Sequence, residues 1–585
     1  MLDVNGDIDH KFFMRRLLIL FFILSACGAA AFGQTPSPTP TPNAPGVVLP
    51  DDLKGVPDIE PNYKSRDMAL PDLGRVGVDV TKERPLTLAE ALRMALENNK
   101  DIEVARKTSS MAEFDLKAAR GVYEPKFAGQ TYYERATAPN VSIFSNNPKT
   151  TQGTVVANAG LTGFIPKFGT VLSGTFNNSR VTTDNPISIL SPQYLSSLNF
   201  SVTQPLSRGL RFDAQRRGIE IAKRNVELTD TQFLSRTIDT VTSVEKAYWD
   251  LIFALRNLQV QRDGVRIAKE QLEHNKRLVN EGQLAPIDIV AAETQVANFE
   301  QAVYDALNAV NVSENFLKNL IAPSRTDKLW GEAILPIESV EKAVPDASVT
   351  EAIDAALKNR PELAVNDAQL AINKIDQRYY RELKKPQIDL FANYGTSGVG
   401  GSQNPNFNTS FPTACNVDPN SPACAQQQAN LALLTGSPFR GIFTNRYPTY
   451  RVGLSFSIPI FGDKTDGALL GKAKVDAERL ATQREQLEQG IQVEVRNALQ
   501  AVKSGEARLR AAAIARENSE KQYASEQRKL DEGQSDIYRV LERQTALTAA
   551  KSAELKARTD LNKAIVDLER ATGNSLKANS ITPSK

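Results

Sequence analysis

Residues 277–295 read RLVNEGQLAPIDIVAAETQ, and residues 528–547 read RKLDEGQSDIYRVLERQTAL. At an offset of 251, Arg277, Glu281, Gly282, Gln283 and Thr294 fall on Arg528, Glu532, Gly533, Gln534 and Thr545. A long proline-free stretch leads up to each glycine, 211–281 in one case and 463–532 in the other. At ~1.5 Å per residue, each such stretch makes a helical rod of ~100 Å. Tyr248, Leu251, Leu255, Leu258, Val265 and Leu272 recur by threes, fours and sevens, and so do Ala473, Ala477, Leu480, Leu487, Ile491 and Val495. An apolar stripe of that period between Ala, Gln, Arg and Glu is a helix-packing seam. Glycine supplies the left-handed residue that turns the chain, so each rod is expected to fold back at Gly282 or Gly533 into a second long helix.

Working outward, a second match appears. At an offset of 261, Glu90, Ala91, Ala95, Leu96, Asn98 and Val104 fall on Glu351, Ala352, Ala356, Leu357, Asn359 and Val365, with Pro125 on Pro386. Short helices are expected there, with Thr87 and Thr350 as N-caps and the prolines ending the helical stretch. Strands follow. Ile388, Leu390, Ala392 and Tyr394 alternate with polar neighbours, as do Tyr450, Val452, Leu454, Phe456 and Ile458, and in the first half Leu198, Phe200 and Val202. Period-two runs of that length fit either strands crossing a bilayer or a soluble sandwich. Each half therefore runs short helices, strands, long helical hairpin: a duplicated unit, 86–336 and 337–576, with a tail at 577–585. Residues 153–178 hold one more candidate hairpin, turning near Pro166 and Phe168, which either joins the other strands or lies outside them.

The N-terminus reads as an export signal over 1–33: Arg15 and Arg16, the apolar run 17–24, then small residues. Leu24-Ser25-Ala26-Cys27 fits a lipobox that would lipidate Cys27; Ala31-Phe32-Gly33 fits ordinary cleavage. Residues 34–85 read as a Pro/Thr-rich tether. In an exported chain, Cys415 and Cys424, nine apart, fit a local disulfide. A metal site there lacks further ligands, since the only histidines are His10 and His274.

Seventy basic and 68 acidic residues nearly cancel, which removes any global charge argument for nucleic acid. With 41% hydrophobic residues and no apolar run of spanning length after the signal, a protein built of apolar membrane helices is excluded. A membrane β-barrel is not, because its apolar residues alternate with polar ones. No Walker lysine loop, thiol cluster or histidine-centred constellation is present, so neither enzyme nor cofactor is expected.

The ordered strings LTLAEALRMALENN, VYEPKF, FSVTQPLSRG, AYWDLIFA, KNRPEL, LSFSIPIFGD and LERATGNSL, with the two turn segments, resemble the TolC family of outer membrane factors from 86 to 576. The resemblance implies a mixed α+β membrane protein, with an outer-membrane β-barrel continuous with a periplasmic α-helical coiled-coil barrel. It also implies partners: a periplasmic adaptor (membrane fusion protein) and an inner-membrane RND or ABC transporter that supplies the energy. Strand arithmetic points the same way. About four strands per chain, a hairpin from each half, cannot close alone, and open edges do not exist in lipid. A homotrimer would give twelve. The turns Glu281-Gly282-Gln283-Leu284 and Glu532-Gly533-Gln534-Ser535 would be the adaptor-docking tips. In the family, acidic residues just past the tip line a constriction; the matching positions here are Asp288, Arg539 and Glu542. Arg539 departs from the acidic pattern, which leaves open either an Asp288–Arg539 bridge between hairpins or two solvated charges. The competing class is an exported periplasmic adaptor or scaffold, also coiled-coil.

Overall fold

A computed structural model describes residues 74–139, 148–337, 342–407, 413–460 and 463–582. The signal and Cys27 lie outside them. The first repeat begins with a strand, β1 (Asp79–Leu86), then α1 (Leu88–Asn98) and α2 (Lys100–Arg120). Next come β2 (Lys126–Pro139), β3 (Lys149–Ile165), β4 (Thr170–Thr183) and β5 (Leu190–Pro205), and the helices α3 (Ala214–Asn280) and α4 (Ile287–Ile321). A short strand, β6 (Glu332–Pro336), leads to the second repeat: α5 (Val349–Asn359), α6 (Pro361–Leu383) and β7 (Gln387–Gln403). Three short helices follow, α7 (Ala414–Val417), α8 (Pro422–Leu434) and α9 (Pro438–Phe443). β8 (Tyr447–Ser457), α10 (Lys464–Asp531), α11 (Ile537–Ala571) and the short α12 (Ser575–Ala578) complete the order.

The duplication is literal in the elements. α3 and α10 are 67 and 68 residues long, and α4 and α11 are 35 each. β2 and β7 start one residue after Pro125 and Pro386. Local chemistry explains the boundaries. Thr87 caps α1 by accepting from the Glu90 amide at 3.1 Å, and Asp213, Asp463 and Asp536 cap α3, α10 and α11 in the same way. Thr350 is not a cap. Ser348 takes that role, because with Glu351 three residues on it forms a reciprocal capping box.

Two further expectations change. Residues 79–85 belong to β1, which pairs in parallel with β6, and are not tether. Among the described residues the large sheet has six strands, because the 153–178 hairpin, left open above, joins the four expected strands as β3 and β4: the order is β2-β3-β4-β5-β7-β8, antiparallel throughout.

The main apolar core lies where α1, α3, α4 and the β1–β6 pair meet. Tyr248, Leu251, Val310, Leu317 and Ile321 are fully buried there, and the Tyr248 hydroxyl donates to the Leu86 carbonyl at 3.0 Å. A matching cluster in the second repeat holds Ala356, Ile491, Val495 and Ile565. Burying each aliphatic side chain contributes ~1.5–3 kcal/mol. Lys342 joins the repeats, reaching Glu245 at 2.7 Å and Glu569 at 2.8 Å, while Asn579 donates to Glu245. Among the described residues no helix is long and apolar enough to cross a membrane.

Candidate functional site: the two-faced sheet and the helical tips

The register separates two faces along all six strands. One face carries Phe127, Leu161, Leu172, Phe200, Val202, Leu390, Tyr394, Tyr450, Val452, Leu454 and Phe456. These side chains are exposed, Tyr450 at 80%, Phe456 at 75% and Phe127 at 75%. The other face carries Thr154, Asn158, Ser173, Thr175, Asn177, Ser197, Asn199, Ser201, Asn393, Arg451 and Ser455. Its polar groups join across strands: Ser173 and Ser201 hydroxyls lie 2.6 Å apart, and Asn177 donates to Ser197 at 3.4 Å. So extended an exposed apolar surface marks an interaction site on a water-soluble protein; opposite a polar face, it is the pattern of a barrel wall in lipid.

The segment between β7 and β8 rests on the apolar side. Phe439 of α9 stacks on Phe176 with ring centroids 6.2 Å apart, and Thr396 donates to the Ile442 carbonyl at 3.4 Å. The contact depends on glycine. A Cβ on Gly398 would collide with the Pro438 carbonyl oxygen, and one on Gly400 would collide with the Gly436 carbonyl oxygen. Beyond this row the same side of the sheet turns polar, with Asn178 and Ser196 and then Arg180 and Tyr194. A disulfide joins Cys415 to Cys424 and ties α7 to α8. The segment is rich in Pro, Asn and Gln and shows no helical periodicity in the sequence, yet it holds three short helices, each with proline or a Thr/Ser cap at its start.

At the far end of the rods, both turns have one construction. Gly282 and Gly533 take φ of 74° and 71°. Gln283 donates from its amide to the Leu278 carbonyl at 2.8 Å, and Gln534 to Lys529 at 2.7 Å, a closure that only a left-handed residue allows cheaply. Glu281, Gln283, Glu532 and Gln534 are exposed, and Leu284 and Ser535 are half-buried. Ser535 donates to Glu526, which holds the Glu526 carboxyl below the usual glutamate range. Leu530, Ile537, Val540 and Leu541 form a small apolar knot behind the second turn.

Asp288 and Arg539 are not brought together within one chain, because each serves its own turn. Asp288 accepts from the Ala285 amide at 3.1 Å, and Arg539 pairs with Asp536 at 3.2 Å. Glu542 is exposed on the rim of a groove of about 400 Å³ between the starts of α4 and α11, floored by Val290, Ala291 and Leu541 and flanked by Ile287 and Tyr538. Gln295 donates to Thr545 across it at 2.7 Å. One pairing escaped sequence reasoning: His274 of α3 meets Asp531 of α10 at 3.4 Å, linking the hairpins just short of both turns. Among the described residues no group of three or more His, Cys, Asp or Glu is placed to hold a metal.

The model of the outer membrane efflux protein family matches residues 157–322 and 352–574, more than half of the chain and one segment in each repeat. The chain belongs to the outer membrane efflux protein family. Solved structures show the same fold at low identity. The outer membrane channel CmeC of Campylobacter jejuni superposes with a TM-score of 0.58 at 15% identity, covering 85% of this chain and 87% of that one. The open state of the Neisseria gonorrhoeae outer membrane channel MtrE gives 0.57 at 17%, covering 85% and 91%. The outer-membrane channel OprN gives 0.59 at 16%, covering 88% and 98%. No curated protein matches the chain. As a member of this family the protein is an outer-membrane efflux channel: its sheet is the membrane part, and its long helices are the periplasmic extension.

Proposed function

We propose that the protein is the passive exit duct of a tripartite efflux or type I secretion assembly. It works as a homotrimer, with a periplasmic adaptor docked on its helical tips and an RND or ABC pump in the inner membrane supplying the energy. One observation carries this reading: a sheet with an apolar and a polar face runs directly into two paired helical rods of ~100 Å. The apolar face belongs against lipid and the polar face toward water. A periplasmic scaffold would expose Tyr450, Val452, Leu454 and Phe456 to water for no return.

At the other end, the exposed turns and the groove beside Glu542 are the adaptor surface, and Asp288, Arg539 and Glu542 guard the entrance. A trimer would bring Arg539 of one copy toward Asp288 of the next, in exchange for its Asp536 contact. Pairs so exposed contribute at most about 1 kcal/mol each, a bias that adaptor docking overcomes.

Deletion of the gene tests the export role. Cells should become sensitive to at least one of a panel of dyes, detergents and metal ions, or lose a secreted protein. Unchanged sensitivity and secretion across the panel would contradict it.

A further inference from the structure

In the second repeat β7 lies beside β8. The repeat maps β2 onto β7 and β5 onto β8, so simple duplication would set β2 beside β5. Instead β3 and β4 stand between them. This hairpin is part of the wall. β3 is paired without a break along β2, from Thr162 opposite Lys126 to Lys149 opposite Pro139. It also keeps the faces: Val155, Ala159 and Leu161 on the apolar side, Thr154, Asn158 and Thr162 on the polar side. Its turn is fastened where the sheet meets the rods, since Gln204 donates to the Phe168 carbonyl at 3.1 Å and Gly169 sits against Gly209, Asp213 and Arg216. Among the described residues, β2 and β8 each keep one edge without a strand partner. With six antiparallel strands the two edges run in opposite directions, so β8 of one copy is antiparallel to β2 of the next.

We infer that this pairing closes the barrel: six strands from each of three copies, eighteen in all. The inference rests on the trimeric duct proposed above and deepens it. With strands ~4.8 Å apart and tilted ~40°, eighteen strands enclose a backbone cylinder ~36 Å across, against ~24 Å for the twelve that remain if the hairpin is left out. Allowing ~5 Å of side chain at each wall leaves a bore of ~25 Å, about twice the 10–12 Å width of a single helix. α9 does not fill it, because it docks on the apolar face. The barrel is therefore a wide exit lined largely by hydroxyl and amide groups, with Lys126, Glu134, Asp389 and Arg451 among them, and selection by size falls to the helical tips.

Cryo-electron microscopy of the full-length oligomer in lipid nanodiscs reads the count directly. The expected map shows eighteen strands, with β3 and β4 in the wall and β2 against β8 of the neighbouring copy. In parallel, Thr131→Cys is combined in turn with Tyr450→Cys, Val452→Cys and Leu454→Cys, and at least one combination should cross-link subunits under oxidation. A trimeric map of twelve strands with β2 beside β5 would overturn the inference and leave the duct standing. A monomer in lipid would overturn both.

Discussion

Glu314 is fully buried between two cations. Lys318 approaches it at 3.3 Å, Arg75 meets it as well, and its Oε1 accepts from the Ile334 amide at 2.7 Å. Burial, with Arg75 adding to it, lowers Lys318 to about 8. Glu314→Leu would leave two like charges in that pocket, at a cost of about 3–5 kcal/mol. The thermal midpoint should fall markedly, whereas Glu485→Leu, an exposed carboxylate on α10, should leave it nearly unchanged; equal shifts would refute the assignment. Glu526 makes a pH prediction. Its folded-state carboxyl lies below the ordinary value of ~4.3, so its stabilisation is fully present above that value and lost as pH falls through the depressed one. Hydrogen exchange across 526–537, corrected for intrinsic rates, should therefore show protection dropping in acid. Ser535→Ala should be less protected at neutral pH and flatter below it. Superimposable profiles would show that the Ser535 contact does not hold the turn.

Among the elements, the rods and their turns were legible because one simple periodicity runs through each of them. Tyr248, Leu251 and Leu258 of the first stripe and Ala473, Leu480, Ile491 and Val495 of the second are buried as the seam requires. The β3–β4 hairpin was legible as a hairpin, with its turn at the expected prolyl segment. Its place in the sheet was not, because strand order depends on pairings between residues far apart in the chain, such as Leu198 with Thr396. The cap at Ser348 was missed because the capping box lies two residues ahead of the first well-patterned position. α9 was missed because what seats it, Gly398 and Gly400 on β7, is a matter of fit across 40 residues and not of local pattern. Gly398→Ala should push α9 off the sheet and open the 413–443 segment to protease on intact cells, since we place it on the outer surface together with the Cys415–Cys424 disulfide. Ser402→Ala, on an exposed stretch of the same strand, should not. Equal cleavage of both variants and the parent would mean that the glycine contact does not hold the segment down.

At the scale of the whole molecule, the sheet and the helical tips are separated by ~100 Å of helix, and in the proposed duct the wide barrel leaves the restricting to the tips. Arg539→Glu should place like charges across any Asp288 contact between copies and raise single-channel conductance at moderate salt, and adding Asp288→Arg should reverse part of the gain. Unchanged conductance in both would leave these residues as solvated charges. Beneath every such effect lies the claim that one chain cannot close a wall and several must. Native mass spectrometry of the protein extracted from outer membranes tests that claim most directly. The expected species is a trimer, resistant to mild heating in detergent; a monodisperse monomer that retains a complete, conducting barrel would contradict it.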